Sequence, residues 1–292
     1  MAGLQSVLVR EGQTQRFRRN WFLVCGCIII GYLLLRVPAC TRIPVSEVLR
    51  EINVRLVPVR CLGLQKVSGD YSVVYFPRGQ EEEARLVLKG AERFLPEVAA
   101  VFGLDLKRRV PVVICREQEE LNRLFGWPAD EGTMGVYWAG TVWVLSPSSW
   151  VEAPDGAARE EKFFRSGPLV HEAAHLMVDY QTRGNYPRWL TEGLAQEVER
   201  RLVGFSFDPP REIAAWYPFF MLEQFDALPD QRVAYYQSFL MVQYLLRHGG
   251  EAGVAELLAA LGQGQSFDRA LEEVMGYDVS EFEARFFHSL SQ

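Results

Sequence analysis

Residues 168–180 read PLVHEAAHLMVDY, and this stretch decides the fold. On a helix, His171 and His175 lie one turn apart and project from the same face. Two imidazoles placed in this way can bind one Zn²⁺ at tetrahedral angles. Glu172 is rotated by about 100° from His171, so it can reach a water beside the ion rather than the ion itself. The spacing therefore predicts one zinc ion per chain, with Glu172 as a general base.

A second stretch, residues 187–197, reads PRWLTEGLAQE and follows a helix break at Gly184-Asn185. Pro187 suits the first turn of a new helix. Because two consecutive helices joined by a short turn can face each other, we expect Glu192 to be the third metal ligand. A set of two histidines and one glutamate leaves the fourth zinc position to water, as in catalytic sites.

Alternative interpretations exist for the charged and small residues of this second helix. Glu192 is also compatible with a solvated helix charge, which is how we interpret Glu197 and Glu199. Gly193 either allows the helix to approach a neighbour closely or is only a weak point in the helix. The position of Glu192 within an otherwise apolar run favours the metal-ligand interpretation.

Two polar side chains are candidates for orienting the imidazoles from behind. A metal-bound imidazole usually donates its second N–H to a carboxylate or a carbonyl. Asp179 lies one turn beyond His175, and it is equally compatible with a helix-end charge that pairs with Arg183. Gln196, one turn after Glu192, is the second candidate.

The two stretches together resemble the gluzincin clan of zinc metallopeptidases, whose third ligand is a glutamate on the next helix. More narrowly, they resemble the bacterial peptidase MA-like family. The resemblance implies an α+β, zincin-like fold, with a small α/β lobe before the site and a helical lobe after it. It also implies that His171, His175 and Glu192 bind zinc, that Glu172 is the base, and that the substrate is a peptide or protein.

The same resemblance bears on the type of peptidase. The aminopeptidase branch of the clan has a Gly-Ala-Met-Glu-Asn segment, and residues 131–135 read EGTMG here, which favours an endopeptidase. Related clans stabilise the oxyanion with a tyrosine or histidine of the carboxy-terminal lobe. Tyr235 matches that residue better than Tyr236 does, although tyrosines in an apolar helix are commonly core. We therefore expect Tyr235 to be a catalytic residue.

Working outward, the sequence predicts an α/β lobe over residues 67–160, the active-site helices over 161–203 and a helical lobe over 204–292. The α/β lobe contains predicted strands at 71–76 and 109–115 and a hairpin around Ala139-Gly140, whose strand could pair with an extended peptide. Predicted helices occupy residues 81–102, 117–125, 162–182, 187–202, 231–247, 250–262, 266–275 and 279–289.

The amino terminus has the pattern of a membrane-targeting segment. Residues 1–20 carry four arginines against one acid, and Trp21–Leu35 has no charge over fifteen residues. This pattern predicts a cytoplasmic basic tail, a single transmembrane signal anchor at 21–39 and an extracytoplasmic catalytic domain. Residues 40–66 between them are expected to form a stalk with one short helix from Ser46. Cleavage of the segment, or lipidation at Cys40, are the alternatives. Outside the cytoplasm, Cys61 and Cys115 could pair.

Composition excludes some classes of function. The chain has 292 residues, 23% of them charged, and a formal net charge of −6. This acidic balance argues against a general binder of nucleic acids or of anionic membranes, because that function needs a clustered basic surface. The oligomeric state is not encoded in any pattern that we recognise. The alternative to an enzyme is an envelope scaffold or binding protein with an inactive zincin-like fold.

Overall fold

The protein is described by a computed structural model over residues 39–129 and 132–291. The predicted tail at 1–20 and nearly all of the predicted anchor at 21–39 lie outside these residues. Within the described part of the chain, no helix combines the length and the apolar composition needed to cross a membrane.

The α/β lobe is built on one five-stranded sheet with the strand order β1-β2-β3-β5-β4. Strands β2, β3 and β5 are parallel to one another, whereas β1 and β4 are antiparallel at the two edges. Every residue of β3 is buried, as its continuous apolar sequence VPVVIC requires of a central strand covered on both faces. The strands are β1 (Gln65–Ser68), β2 (Ser72–Phe76), β3 (Val110–Cys115), β4 (Gly135–Trp138) and β5 (Thr141–Leu145).

The turn between β4 and β5 is the hairpin that the sequence predicts. Ala139 and Gly140 have φ values of 44° and 83°, the left-handed pair that a two-residue hairpin turn requires. This turn makes β4 an edge strand that runs back along β5. Strand β1 was not predicted from the sequence, because its residues QKVS are mostly exposed and lack an apolar alternation.

Nine helices occur in the described residues, and six of them follow the sheet. They are α1 (Ala39–Arg60), α2 (Glu81–Val101), α3 (Gln118–Phe125), α4 (Gly156–Ser166), α5 (Leu169–Thr182), α6 (Arg188–Val203), α7 (Gln231–Gly262), α8 (Phe267–Met275) and α9 (Val279–Ser289). The predicted helix at 162–182 is divided in the structure between α4 and α5. The cause is Pro168, which disfavours a helical conformation at the preceding Gly167, where the backbone is extended.

Helix α7 joins two predicted helices across a kink. Gly250, with φ 67° and ψ −177°, is the non-helical residue inside it. The apolar core of the helical lobe surrounds Trp189, Leu222 and Phe282, whereas α2 and α5 share a second core with one face of the sheet. Helix α5 contributes to both cores, so it joins the two lobes.

Within the predicted stalk at 40–66, the structure has helix α1 over residues 39–60, which is longer than the short helix expected from Ser46 and packs on the folded domain. Ile43 and Val57 are buried, and Asn53 donates hydrogen bonds to the carbonyl of Ala139 and to Thr141. The sequence shows no clear helical period there because both faces of α1 carry apolar residues. Tertiary contacts, rather than a regular pattern, stabilise this helix.

The two cysteines that could pair are free and buried in one apolar cluster. Burial raises the pKa of the Cys61 thiol to about 11 and that of Cys115 to about 12. Both thiols are therefore protonated at neutral pH and behave as small apolar side chains.

Candidate metal centre

Helices α5 and α6 carry the site, and a tight reversal brings them together. Arg183 ends α5 in the left-handed conformation with φ 58°, and Gly184 follows with φ 82°. The Asn185 side chain then donates hydrogen bonds to the carbonyls of Leu261 and Gln265. These contacts turn the chain within five residues and attach the turn to the helical lobe, so α6 packs against α5.

The three predicted ligands converge. The Nε2 atoms of His171 and His175 each lie 3.5 Å from the same oxygen, Oε2 of Glu192. One ligand atom from each of the three residues lies within 4.8 Å of the others. Ligand atoms of a tetrahedral zinc site with bonds near 2.1 Å are separated by about 3.4 Å. The group can therefore hold a metal ion, with the two imidazoles and the carboxylate as ligands.

The charges of this buried group suit a cation. Burial lowers the pKa of His175 to about 4, so its ring is neutral and offers a lone pair. Burial alone would raise the pKa of Glu192, but the adjacent histidines His175 and His171 lower it, so this carboxylate is ionised. Although burial favours neutral His171, the carboxylates of Glu199 and Glu192 raise its pKa well above the usual value. The site carries excess negative charge, which a divalent cation would neutralise.

Each imidazole is oriented from α6 through its Nδ1 atom. His171 Nδ1 lies 2.8 Å from Oε2 of Glu199, and His175 Nδ1 lies 2.7 Å from the Thr191 hydroxyl. These bonds direct both Nε2 atoms toward Glu192, and a neutral ring that donates its Nδ1–H in this way keeps its Nε2 lone pair for a metal.

The interpretation of Glu197 and Glu199 as solvated charges is wrong. Both are buried, with exposures of 3% and 4%. Glu199 supports His171, whereas Glu197 binds Arg200, Arg201 and Gln243 on another side of α6. The signal available in the sequence was helical spacing: Glu192 and Glu199 are seven residues apart, which places them on one face of α6.

Neither predicted outer partner contacts an imidazole. Asp179 accepts hydrogen bonds from Arg50 and from the Tyr137 hydroxyl, so both alternatives for it are wrong, and Arg183 instead pairs with Glu47. Gln196 donates to the backbone carbonyls of Glu192 and Tyr235, which joins α6 to α7. The partners could not be deduced because α1 supplies Arg50 from far along the chain.

Glu172, the predicted base, faces the edge strand of the sheet. Its Oε2 accepts a hydrogen bond of 2.5 Å from the backbone N–H of Tyr137 in β4. A Cβ atom at Gly135 would lie 2.5 Å from Cβ of Pro168, so glycine permits β4 to approach α5 this closely. Burial raises the pKa of Glu172 to about 7, near the value that suits a general base at neutral pH.

A cleft of about 650 Å³ opens over the site. His171, Glu172 and Tyr235 line it together, so the predicted catalytic tyrosine does reach the cavity that contains the base. Burial raises the pKa of Tyr235, which keeps its hydroxyl protonated. Phe205 and Phe207 form an aromatic wall, and the Phe207 ring lies edge-on to His171 at 6.4 Å between centroids.

The arrangement of the sheet, the helices and the candidate metal centre is typical of one class of protein domain. An edge strand lies along the helix that carries His-Glu-x-x-His, and the next helix supplies a glutamate; this is the arrangement of a zincin-like metallopeptidase domain. Residues 155–292 match the family described as Peptidase MA superfamily. The matched segment includes α4 to α9 and therefore every predicted site residue. No curated protein matches the chain significantly.

Proposed function

We propose that this protein is a zinc-dependent endopeptidase. The observation that carries the proposal is the convergence of two Nε2 atoms on one oxygen of Glu192, each at 3.5 Å, beside the buried base Glu172. The family match over residues 155–292 supports a peptidase, and the donor set of two imidazoles and one carboxylate is one that zinc accepts in catalytic sites. The substrate is accordingly a peptide or a protein.

His171, His175 and Glu192 would hold the ion. A bound zinc ion supplies Lewis-acid polarisation of the scissile carbonyl and lowers the pKa of a nearby water. Glu172 accepts the proton of the attacking water and then delivers it to the leaving amine. The Tyr137 N–H fixes the orientation of the Glu172 carboxylate during both transfers. Tyr235 donates its hydroxyl proton in a hydrogen bond to the developing oxyanion.

Strand β4 supports endopeptidase action. It pairs with β5 on one side and is the last strand of the sheet in the described residues. An extended peptide can add to such an edge through backbone hydrogen bonds, without needing a free terminus. The residues just before and at the start of β4, 132–135, also line the cleft beside Glu172.

The proposal includes a location. A basic tail followed by the uncharged run Trp21–Leu35 supports a single membrane anchor, with the catalytic domain outside the cytoplasm. The anchor would keep the peptidase at the membrane surface and would restrict its substrates to the extracytoplasmic space.

The test is Glu172→Gln in the full chain. We expect the variant to retain one zinc ion, because Glu172 is not a ligand, and to lose activity on a peptide library by about 10²- to 10⁴-fold. Metal content measured by mass spectrometry distinguishes loss of the general base from loss of the zinc ion. Glu97→Gln, an exposed glutamate on α2, is the control and should keep full activity.

Three outcomes contradict parts of the proposal. Normal cleavage by Glu172→Gln would exclude Glu172 as the base. Stoichiometric zinc in a wild-type chain that cleaves nothing in the library would favour the inactive scaffold. Equal zinc contents of the wild type and of His175→Ala would show that the ion binds elsewhere.

A further inference from the structure

Helix α1 exposes an apolar face that packing within the described residues does not use. Six of the fourteen exposed large hydrophobic residues of the described chain lie within 48–62. Five of these six residues belong to α1. Because most of them are three or four residues apart, they lie along one side of the helix. They define what we call the α1 face: Val48, Leu49, Ile52, Leu56 and Val59, with Leu62 just beyond the helix.

The opposite side of α1 already accounts for its attachment to the domain. Ile43, Val57 and the Asn53 side chain are buried there, and Arg50 reaches Asp179. The helix is therefore apolar on two sides, and only one side is covered. Contiguous exposed apolar surface of this kind marks a site of interaction with a partner or with a membrane.

Arginines and aromatic rings border the α1 face. The Arg60 guanidinium lies 5.8 Å from the centre of the Trp138 ring at the edge of the face, whereas Arg50, which lies 4.5 Å from the Tyr180 ring, is on the packed side of α1. Trp138 and Tyr180 are 46% and 37% exposed. Tryptophan, tyrosine and arginine around an apolar stripe are the composition of surfaces that rest in the headgroup layer of a bilayer.

We propose that the α1 face lies on the surface of a lipid bilayer and holds the domain against it. The uncharged run Trp21–Leu35 ends only four residues before α1 begins at Ala39, which places the helix beside any membrane that this run enters. The exposed Arg60 complements the charge of anionic headgroups, whereas Arg55 is already paired with Glu51. The long Arg60 side chain reaches the phosphates while the neighbouring apolar groups stay in the interface.

The proposed contact leaves the cleft open. Helix α1 touches the carboxyl end of α5 at Asp179 and the hairpin turn at Ala139. The cleft is lined by the opposite ends of the same two elements, around residues 168–172 and 132–135. His171 and Asp179 are about 12 Å apart along α5 at a rise of 1.5 Å per residue. Peptides therefore approach from the side away from α1.

The experiment measures the environment of one residue in the full chain. Cys25, Cys27 and Cys40 are replaced by serine, and the buried Cys61 and Cys115 are kept. Ile52→Cys is labelled with an environment-sensitive nitrobenzoxadiazole dye, and Leu124→Cys on α3 is the control, because the two native side chains are similarly exposed at 49% and 53%. Both chains are reconstituted in phosphatidylcholine vesicles with and without phosphatidylglycerol.

We expect the dye at position 52 to emit at shorter wavelength than that at 124, with severalfold stronger quenching by doxyl-labelled lipid and weaker quenching by iodide. Phosphatidylglycerol should increase the difference. Iodide quenching at 52 equal to that at 124 would overturn the proposal, because the face would then be in water. Protection from both quenchers would also overturn it, because protein would then cover the face. The outcome does not depend on peptidase activity.

Discussion

Glu199 and Thr191 hold the two imidazoles of the metal centre from the same side, but with different chemistry. A carboxylate at His171 Nδ1 increases the electron density on that ring, whereas a hydroxyl at His175 Nδ1 only orients its ring. His171 is therefore the more basic ligand, and its affinity for a metal depends on a buried charge seven residues beyond Glu192.

Replacing Glu199 by glutamine should weaken metal binding. The variant keeps a hydrogen-bonding group of the same shape but removes the charge, so we expect an affinity about 10- to 100-fold lower. Competition with a chromophoric chelator measures the change. Glu197→Gln is a matched control on the same helix, because Glu197 is equally buried but binds arginines away from the imidazoles. Equal losses of affinity in both variants would contradict the role of Glu199.

Glu172 should make the metal-free protein less stable at high pH. Its folded pKa of about 7 lies above the ordinary value of 4.5. Stability from its protonated form is present below pH 4.5 and is lost as the pH rises through 7, by about 3 kcal/mol. Melting curves of chelator-treated protein at pH 5 and pH 8 should show a smaller loss for Glu172→Gln than for the wild type. An identical pH dependence would exclude Glu172 as the cause.

At the scale of the helices, α6 and α7 pack in close contact, and this contact fixes the position of the candidate metal ligand on α6. A Cβ atom at Gly193 would lie 2.2 Å from the Ser238 carbonyl oxygen and 2.6 Å from Val242. Glycine therefore allows the close approach predicted for it, although the neighbour is α7 and not the helix that carries the histidines. Glu192 is the adjacent residue, so a shift of α6 also displaces a metal ligand.

Gly193→Ala should consequently affect both stability and metal binding. Overpacking at a helix contact costs about 1–3 kcal/mol, and the displaced α6 weakens the affinity for the metal. Chemical denaturation and metal titration measure the two effects. Gly156→Ala is the control, because open space surrounds Gly156 and we expect a change below about 0.5 kcal/mol there. A stable variant with unchanged affinity would contradict this description of the contact.

At the scale of the whole molecule, α1 contacts both the sheet and helix α5, which carries the two histidines of the candidate metal centre. Arg50 binds Asp179 at the end of α5, and Asp179 also accepts a hydrogen bond from the hydroxyl of Tyr137 in β4. The backbone N–H of the same tyrosine holds Glu172. The family match begins at residue 155, so α1 and the sheet contribute these contacts from outside the matched segment.

Arg50→Met should destabilise the chain by about 3–5 kcal/mol, because it leaves Asp179 buried without its charged partner. Adding Asp179→Asn should recover part of the loss, since the uncompensated charge is then removed. Arg55→Met is the control; that arginine is exposed, and its pairing with Glu51 contributes below about 1 kcal/mol. Thermal unfolding of the four proteins tests this, and equal effects of the Arg50 and Arg55 variants would contradict it.

Local patterns predicted the central strands, the hairpin and most of the helices. The strands β2, β3 and β5 could be recognised because each is a short run of β-branched and aromatic residues between turn signals. The hairpin turn followed from Ala139-Gly140. Strand β1 could not be recognised because it is exposed. The helix expected from Ser46 is longer in the structure, since the apolar residues on two sides of α1 give no clear period.

The sequence alone predicts the three candidate metal ligands. The spacing of His171 and His175 within one helix, and a glutamate shortly after a helix break, are local features that survive any later packing. Only the tertiary structure decided which groups support them. Glu199, Thr191 and Arg50 depend on how α1 and α6 cross α5, and helical periodicity does not encode the position of one helix relative to another. The spacing of glutamates along the chain does not show which carboxylate is buried and which is solvated. Only the fold distinguishes them.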